Sequence, residues 1–136
     1  MKNKRYIRLF KPSVDNYEIR SIGKVFKKAW LGYGEQVHKF EKQFSKFIGT
    51  KYALGLNPCT SALHLSLAVN NFKKRKKVLV PSLTFSATAA AILYNDLIPV
   101  FVDINKDDLN MSFEDLKKKY TKDCVAVMAV HFGGHP

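Results

Sequence analysis

The sequence is short of several features that would have fixed its class at once. It carries two cysteines, Cys59 and Cys124, in 136 residues, so no ladder of disulfide or metal-ligand spacings can be built from it. Its longest apolar stretches lie around residues 87–94 and 124–130, far below the roughly 20 residues that span a bilayer. The opening MKNKRYIRLF is basic but leads into no secretory-type apolar segment. Glycine is sparse, with seven residues, and none form the fingerprint of a dinucleotide-binding turn or a P-loop. Internal repeats, low-complexity tracts and obvious linkers are also missing. These absences lead to the expectation of a soluble, reduced, cytoplasmic protein.

Acidic residues are few as well: 11 Asp and Glu stand against 23 Lys and Arg, a formal charge of +12. Clustered cations would suit a nucleic-acid partner, because they release counterions from phosphates. Five do cluster at residues 73–77, but between a helix and a strand, where a solvated loop is expected. The others are spread along polar helix faces and loops, and no aromatic stacking platform accompanies them. Nucleic acid is therefore disfavoured as a partner.

What is present is enough apolar content for a core, 46% of residues, arranged in two ways. In residues 1–50 the pattern is helical. Asp15 and Glu18 form a capping box, and Ile19, Ile22, Phe26 and Trp30 follow at helical spacing. LGYG at residues 31–34 breaks this helix. A second helix starts near Glu35, presents Val37, Phe40, Phe44 and Phe47 on one face, and stops at Gly49.

From Lys51 onward short apolar runs alternate with helices. Strands are expected at residues 52–56, 78–80, 98–102 and 125–130, with helices at 60–69, 85–94 and 113–119. Ser112 and Asp115 read as a capping pair for the last helix. Alternation of this kind implies right-handed crossovers and a mostly parallel sheet with helices on both faces. Nearly all-apolar strands suit that burial. The expected organisation is a helical segment, 1–50, followed by an incomplete α/β domain, 51–136. The chain ends after a strand and its exit loop, so it reads as truncated at Pro136.

Chemistry concentrates where strands meet helix starts. Thr60 and Ser61 open an apolar helix, and their hydroxyls and free N–H groups could hold a phosphate, aided by the helix dipole. Ordinary N-capping would explain the same residues. Phe85 begins the next helix and could stack on a flat heteroaromatic ligand, or belong to the core. Asp103 ends a strand and could bind a ligand or simply start a turn. His131 and His135 flank two glycines and lack a third ligand, so no metal site is expected. His64 reads as packed or hydrogen-bonded within its apolar helix, and Cys59 has no catalytic partner beside it.

Three blocks taken together, GYGEQVHKFEKQFSKFIGTKYALGLNPCTSALHLSL, VLVPSLTFSATAAAILYNDLIPVFVDI and AVMAVHFGGHP, resemble the DegT/DnrJ/EryC1/StrS family. These are pyridoxal-phosphate-dependent sugar aminotransferases of fold type I. The resemblance is collinear from about Lys11 to Pro136 and covers the first third of a family member. It implies the amino-terminal part of the large domain, pyridoxal 5'-phosphate as cofactor, and a nucleotide-linked keto sugar and an amino donor, glutamate, as partners. It further implies a homodimer and a role in surface polysaccharide or glycan synthesis. Thr60 and Ser61 match the phosphate-holding positions, Phe85 matches the ring-stacking position, and the turn at 31–34 would lie near the sugar's entrance.

Pro58 departs from the family pattern, standing where serine is usual, and removes one anion-binding donor. The family's Schiff-base lysine, and the aspartate that pairs with the pyridine nitrogen, fall after Pro136. No catalytic residue is therefore assigned here, and the chain alone is expected to be inactive. Two other readings stay open at this point: an inactive remnant, and a basic nucleic-acid-binding module.

Overall fold

A computed structural model describes Arg8 and residues 11–136. Apart from Arg8, the basic opening stretch lies outside the described residues. The chain divides into two compact units, one ending at Gly55 and one spanning Leu56–Pro136.

The first unit holds two helices. Helix α1, Asn16–Lys27, starts at the expected capping box. Asp15 accepts a hydrogen bond from the Tyr17 N–H at 2.6 Å, and the Glu18 carboxylate accepts one from the Asp15 N–H at 2.8 Å. The helix ends before LGYG, not at it. Ala29 adopts a positive φ of 52°, which leaves Trp30 outside the helical stripe expected to contain it. Helix α2, Glu35–Ile48, ends as expected on Gly49, whose φ of 78° is a left-handed cap that glycine adopts without steric cost. Neither helix contains a buried residue.

Residues 52–56 form no strand, contrary to the expectation. A strand requires a ladder partner, and here the Gly55 N–H donates instead to the Glu41 carboxylate at 2.8 Å. The sheet of the second unit accordingly has three strands, not four. Its elements are α3 (Cys59–Ala68), β1 (Lys77–Pro81), α4 (Ser86–Leu93), β2 (Ile98–Val102), α5 (Phe113–Lys119) and β3 (Cys124–Val127), followed by a 3-10 turn at Phe132–Gly134. Strand β3 stops at Val127, three residues short of the expected end. Only the Met128 N–H continues the pairing, to the Leu79 carbonyl at 2.8 Å.

The strand order is β2-β1-β3, parallel throughout. The chain moves one way from β1 to β2, then back across β1 to β3. Parallel strands are joined by right-handed crossovers, and two of them running in opposite directions require α4 and α5 to lie on opposite faces. Helix α3 packs against α4, and the Asn95 side chain ties them by donating to the His64 carbonyl at 3.1 Å. Leu67 and Ala68 share a small cavity with Asn95 and Leu97. The carboxyl ends of α3 and α4 are thus neighbours, and both helices start at the carboxyl edge of the sheet.

The core is the middle strand and its cover. Val78, Leu79 and Val80 are fully buried. Val78 and Val80 cluster with Leu67, Ile92 and Leu97, with Phe72, Val125, Ala126 and Met128 packed around them. The expected reciprocal cap of α5 is only half present. Ser112 accepts from the Asp115 N–H at 3.3 Å, but the Asp115 carboxylate accepts from the Asp103 N–H at 2.7 Å. The Asp115 side chain therefore binds β2's exit to α5 in place of closing its own helix.

Burial this uneven makes a direct prediction. Leu79→Ala removes a wholly buried side chain and should cost about 2–5 kcal/mol of sheet stability. Phe47→Ala, at a position 85% exposed, should change stability by no more than about 0.5 kcal/mol. Denaturant unfolding of both variants checks the contrast.

Candidate functional site

The edge of the sheet at the strands' carboxyl ends gathers most of the expected site residues. Connections from β1 and β2 leave toward opposite faces, and the strand ends where this happens are the usual place for a ligand in an open α/β sheet. The two exits are fastened together where the Ser82 N–H donates to the Val102 carbonyl at 2.8 Å.

Thr60 and Ser61 lie in the first turn of α3. The N-cap is Pro58, which supplies no side-chain cap, and its carbonyl accepts the Ser61 N–H at 2.9 Å. Among the described residues no hydrogen bond engages the hydroxyl of Thr60 or Ser61, or the N–H of Cys59 or Thr60. Each is a donor left available at the positive end of a ten-residue helix. Had Ser61 or Thr60 been spent on capping, no such set would remain.

Phe85 is the N-cap of α4 and is 78% exposed, so its ring is not core. Beneath it, Thr84 and the buried Thr88 share a hydroxyl hydrogen bond of 2.8 Å, which braces the turn that presents the ring. Asp103 is committed locally. Its N–H donates to Asp115, its carboxylate accepts from the Ile104 N–H at 2.8 Å, and its carbonyl accepts from the Ser112 N–H at 2.8 Å. This is the turn-forming role, and it leaves Asp103 little capacity for a ligand. Asp115 is held below the usual carboxylate range by the Asp103 N–H and then by Lys119, 2.8 Å away.

The remaining candidates are dispersed. His64 is edge-on to Tyr94 at 6.0 Å, Cys59 is exposed, and His131 and His135 sit on the exposed turn after β3. Among the described residues no three His, Cys, Asp or Glu side chains gather as a metal site, and no helix is long and apolar enough to cross a membrane. The basic run at 73–77 lies at the opposite, amino end of β1. There Lys74 pairs with Asp96 at 2.8 Å and Lys76 with Asp123 at 2.7 Å.

The first unit contains a polar cluster that the sequence reading missed. Glu41, only 12% exposed at its side chain, accepts from the Tyr33 hydroxyl at 2.7 Å and from the Gly55 N–H, with His38 at 3.7 Å. The Trp30 indole N–H donates to the Tyr33 carbonyl at 3.0 Å. Gly34 is required for this packing, since a Cβ there would lie 2.8 Å from the Trp30 ring. No periodicity signals contacts eight and fourteen residues apart, and for that reason they stayed invisible in the sequence.

The pattern that defines the DegT/DnrJ/EryC1/StrS aminotransferase family matches residues 12–136. The chain belongs to that family. It is 37% identical, over 90% of its length, to the spore coat polysaccharide biosynthesis protein SpsC of Bacillus subtilis, and 33% identical over 97% to GDP-perosamine synthase of Escherichia coli O157:H7. Among solved structures it resembles GDP-4-keto-6-deoxy-D-mannose-3-dehydratase of E. coli with bound hydrated PLP. That match has a TM-score of 0.81 and 29% identity, and covers 89% of this chain. The chain spans 32% and 36% of the two curated relatives and 33% of the solved chain. The fold is the amino-terminal part of a fold type I large domain, in a family of pyridoxal-phosphate-dependent enzymes of sugar chemistry.

The Glu41 cluster carries two predictions. Hydrogen bonds from Gly55 and then Tyr33 lower the Glu41 pKa, and the bond to Glu41 raises that of Tyr33. The stabilisation from Glu41 is therefore complete above the ordinary carboxylate value, about 4.3, and is lost as pH falls through its lowered value. That from Tyr33 is complete below about 10 and is lost as pH rises through its raised value. Glu41→Gln should return Tyr33 ionisation toward about 10, read from its ring resonances. Gly34→Ala should expel the indole and shift the emission of Trp30, the single tryptophan of the chain.

Proposed function

We propose that the chain forms the amino-terminal part of a pyridoxal-phosphate-dependent aminotransferase that moves an amino group from glutamate to a nucleotide-linked keto sugar, for surface polysaccharide or glycan synthesis. The complete enzyme is proposed to be a cytoplasmic homodimer. The observation that carries the reading is the uncapped start of α3, with Thr60 and Ser61 uncommitted, at the same sheet edge as the exposed ring of Phe85. The family membership and the names of the relatives support the same reading.

The residues present fit the cofactor. In this proposal the Thr60 and Ser61 hydroxyls donate to phosphate oxygens, and the unpaired N–H groups of Cys59 and Thr60 add two further donors. Pro58 contributes none, so the side chains carry a larger share of the binding. Phe85 stacks on one face of the pyridine ring and keeps water from it, and the Thr84–Thr88 pair holds the turn that aims it. Bound there, pyridoxal phosphate supplies an electron-withdrawing ring that carries the amino group between donor and acceptor. No lysine among residues 1–136 is assigned the anchoring and proton-moving role. In this proposal residues 1–50 form a helical segment and residues 51–136 are part of a cofactor-binding domain.

Titration of the chain with pyridoxal phosphate, followed by absorbance, tests the assignment. Replacing Thr60 and Ser61 by Ala should weaken binding about 10–100-fold, because hydrogen bonds to a charged group are lost. Phe85→Ala should weaken it by about 2–10-fold, without loss of fold, since the ring is exposed. Equal affinity in native and variant chains would overturn the site. The chain alone is expected to show no glutamate half-reaction above that of free cofactor.

A further inference from the structure

The turn after β3 is held by one side chain that no part of the proposed site uses. Residues 131–136 are all exposed, so hydrophobic burial does not fix their path. Gly133 and Gly134 adopt φ of 64° and 80°, the left-handed region that other residues enter only with strain. Two internal hydrogen bonds close the turn: the Gly134 N–H to the His131 carbonyl at 3.0 Å, and the His135 N–H to the Phe132 carbonyl at 3.2 Å.

The attachment to the rest of the unit is made by Asn110. Its Oδ1 accepts from the Phe132 N–H at 3.0 Å, and its Nδ2 donates to the His135 carbonyl at 3.1 Å. A carboxamide offers one acceptor and a donor group in a single plane, as a neighbouring strand would. Asp offers acceptors only, and an aliphatic side chain offers neither. Asn110 is itself anchored. Its N–H donates to the Asp108 carboxylate at 2.8 Å, and its carbonyl accepts from the Asn105 N–H at 2.9 Å. Beside it, Ile104 and Met111 form an isolated antiparallel bridge. The exit of β2 thus grips the exit of β3, and these two strands flank β1, whose own exit carries Phe85.

We infer that Asn110 is a positioning residue: its carboxamide sets the glycine turn after β3 and, through it, the place of His131 at the carboxyl edge of the sheet. The hold on the turn stands independently of any cofactor. Its consequence for ligand binding rests on the function proposed above and on the turn leaving the strand beside β1, at the sheet edge that carries Phe85.

The experiment compares the full chain with its N110A and N110D variants by amide NMR and by titration with pyridoxal phosphate. N110A should speed exchange of the Phe132 amide about tenfold and should lower cofactor affinity several-fold, with little change in the thermal midpoint. N110D supplies a readout that simple loss of packing would not give. At neutral pH its carboxylate opposes the His135 carbonyl with no donor between them. Protonation near the ordinary value of about 3.9 restores an O–H donor and should return the shifts of Gly133, Gly134 and His135 toward native. The native chain should lack this step at the turn. Unchanged turn shifts in N110A, or no pH step in N110D, would overturn the assignment. A turn that responds while cofactor affinity stays native would overturn its link to the site. If the native chain binds no cofactor, the proposed function fails, and the turn shifts still decide the role of Asn110.

Discussion

The second unit depends on β1. This strand is the only one of the three with a neighbour on each side, and it pairs in parallel with both. Parallel pairing leaves no short hairpin route between strands, so each connection must cross a face of the sheet. The crossings bring the helices, and the helices bury Val78, Leu79 and Val80 completely. The same constraint puts the start of every crossover at one edge, where β1, β2 and β3 deliver residues 82–85, 103–112 and 128–135.

At that edge the helix starts are unfinished. Neither α3 nor α4 has a side chain bonded back to its first turn, although serine and threonine are present in both. A helix beginning that closes on itself gains stability and loses its donors. At α1 and α5 the opposite solution holds: Asp15 and Ser112 accept from their own first-turn N–H groups. Within the second unit, α5 closes on its own side chain, whereas the starts of α3 and α4 keep their backbone donors open.

Much of this was legible in the sequence, because local patterns dictate it. The capping box at Asp15 and Glu18, the stop at Gly49, and the strand at Ile98–Val102 all depend on residues within one or two turns of each other. The errors share a different cause. Residues 52–56 have the composition of a strand but lack a ladder partner, and pairing is not a property of the segment itself. Asp115 stands at capping distance from Ser112, yet the Asp103 N–H, twelve residues away, takes its carboxylate. Trp30 keeps the helical spacing, but α1 has already ended at Lys27.

By itself, the sequence determined the alternation of elements, the places where hydroxyls and aromatic rings open helices, and the family to which the chain belongs. Those follow from periodicity and from motifs read along the chain. Only the tertiary structure decided that Phe85 is exposed, that the hydroxyls of Thr60 and Ser61 are uncommitted, and that Asp103 is spent on its own turn. It alone revealed Glu41 and Asn110, whose partners lie 8, 14, 22 and 25 residues away. A hydrogen bond between distant residues is set by how the fold brings separate segments together, and no local pattern encodes that distance.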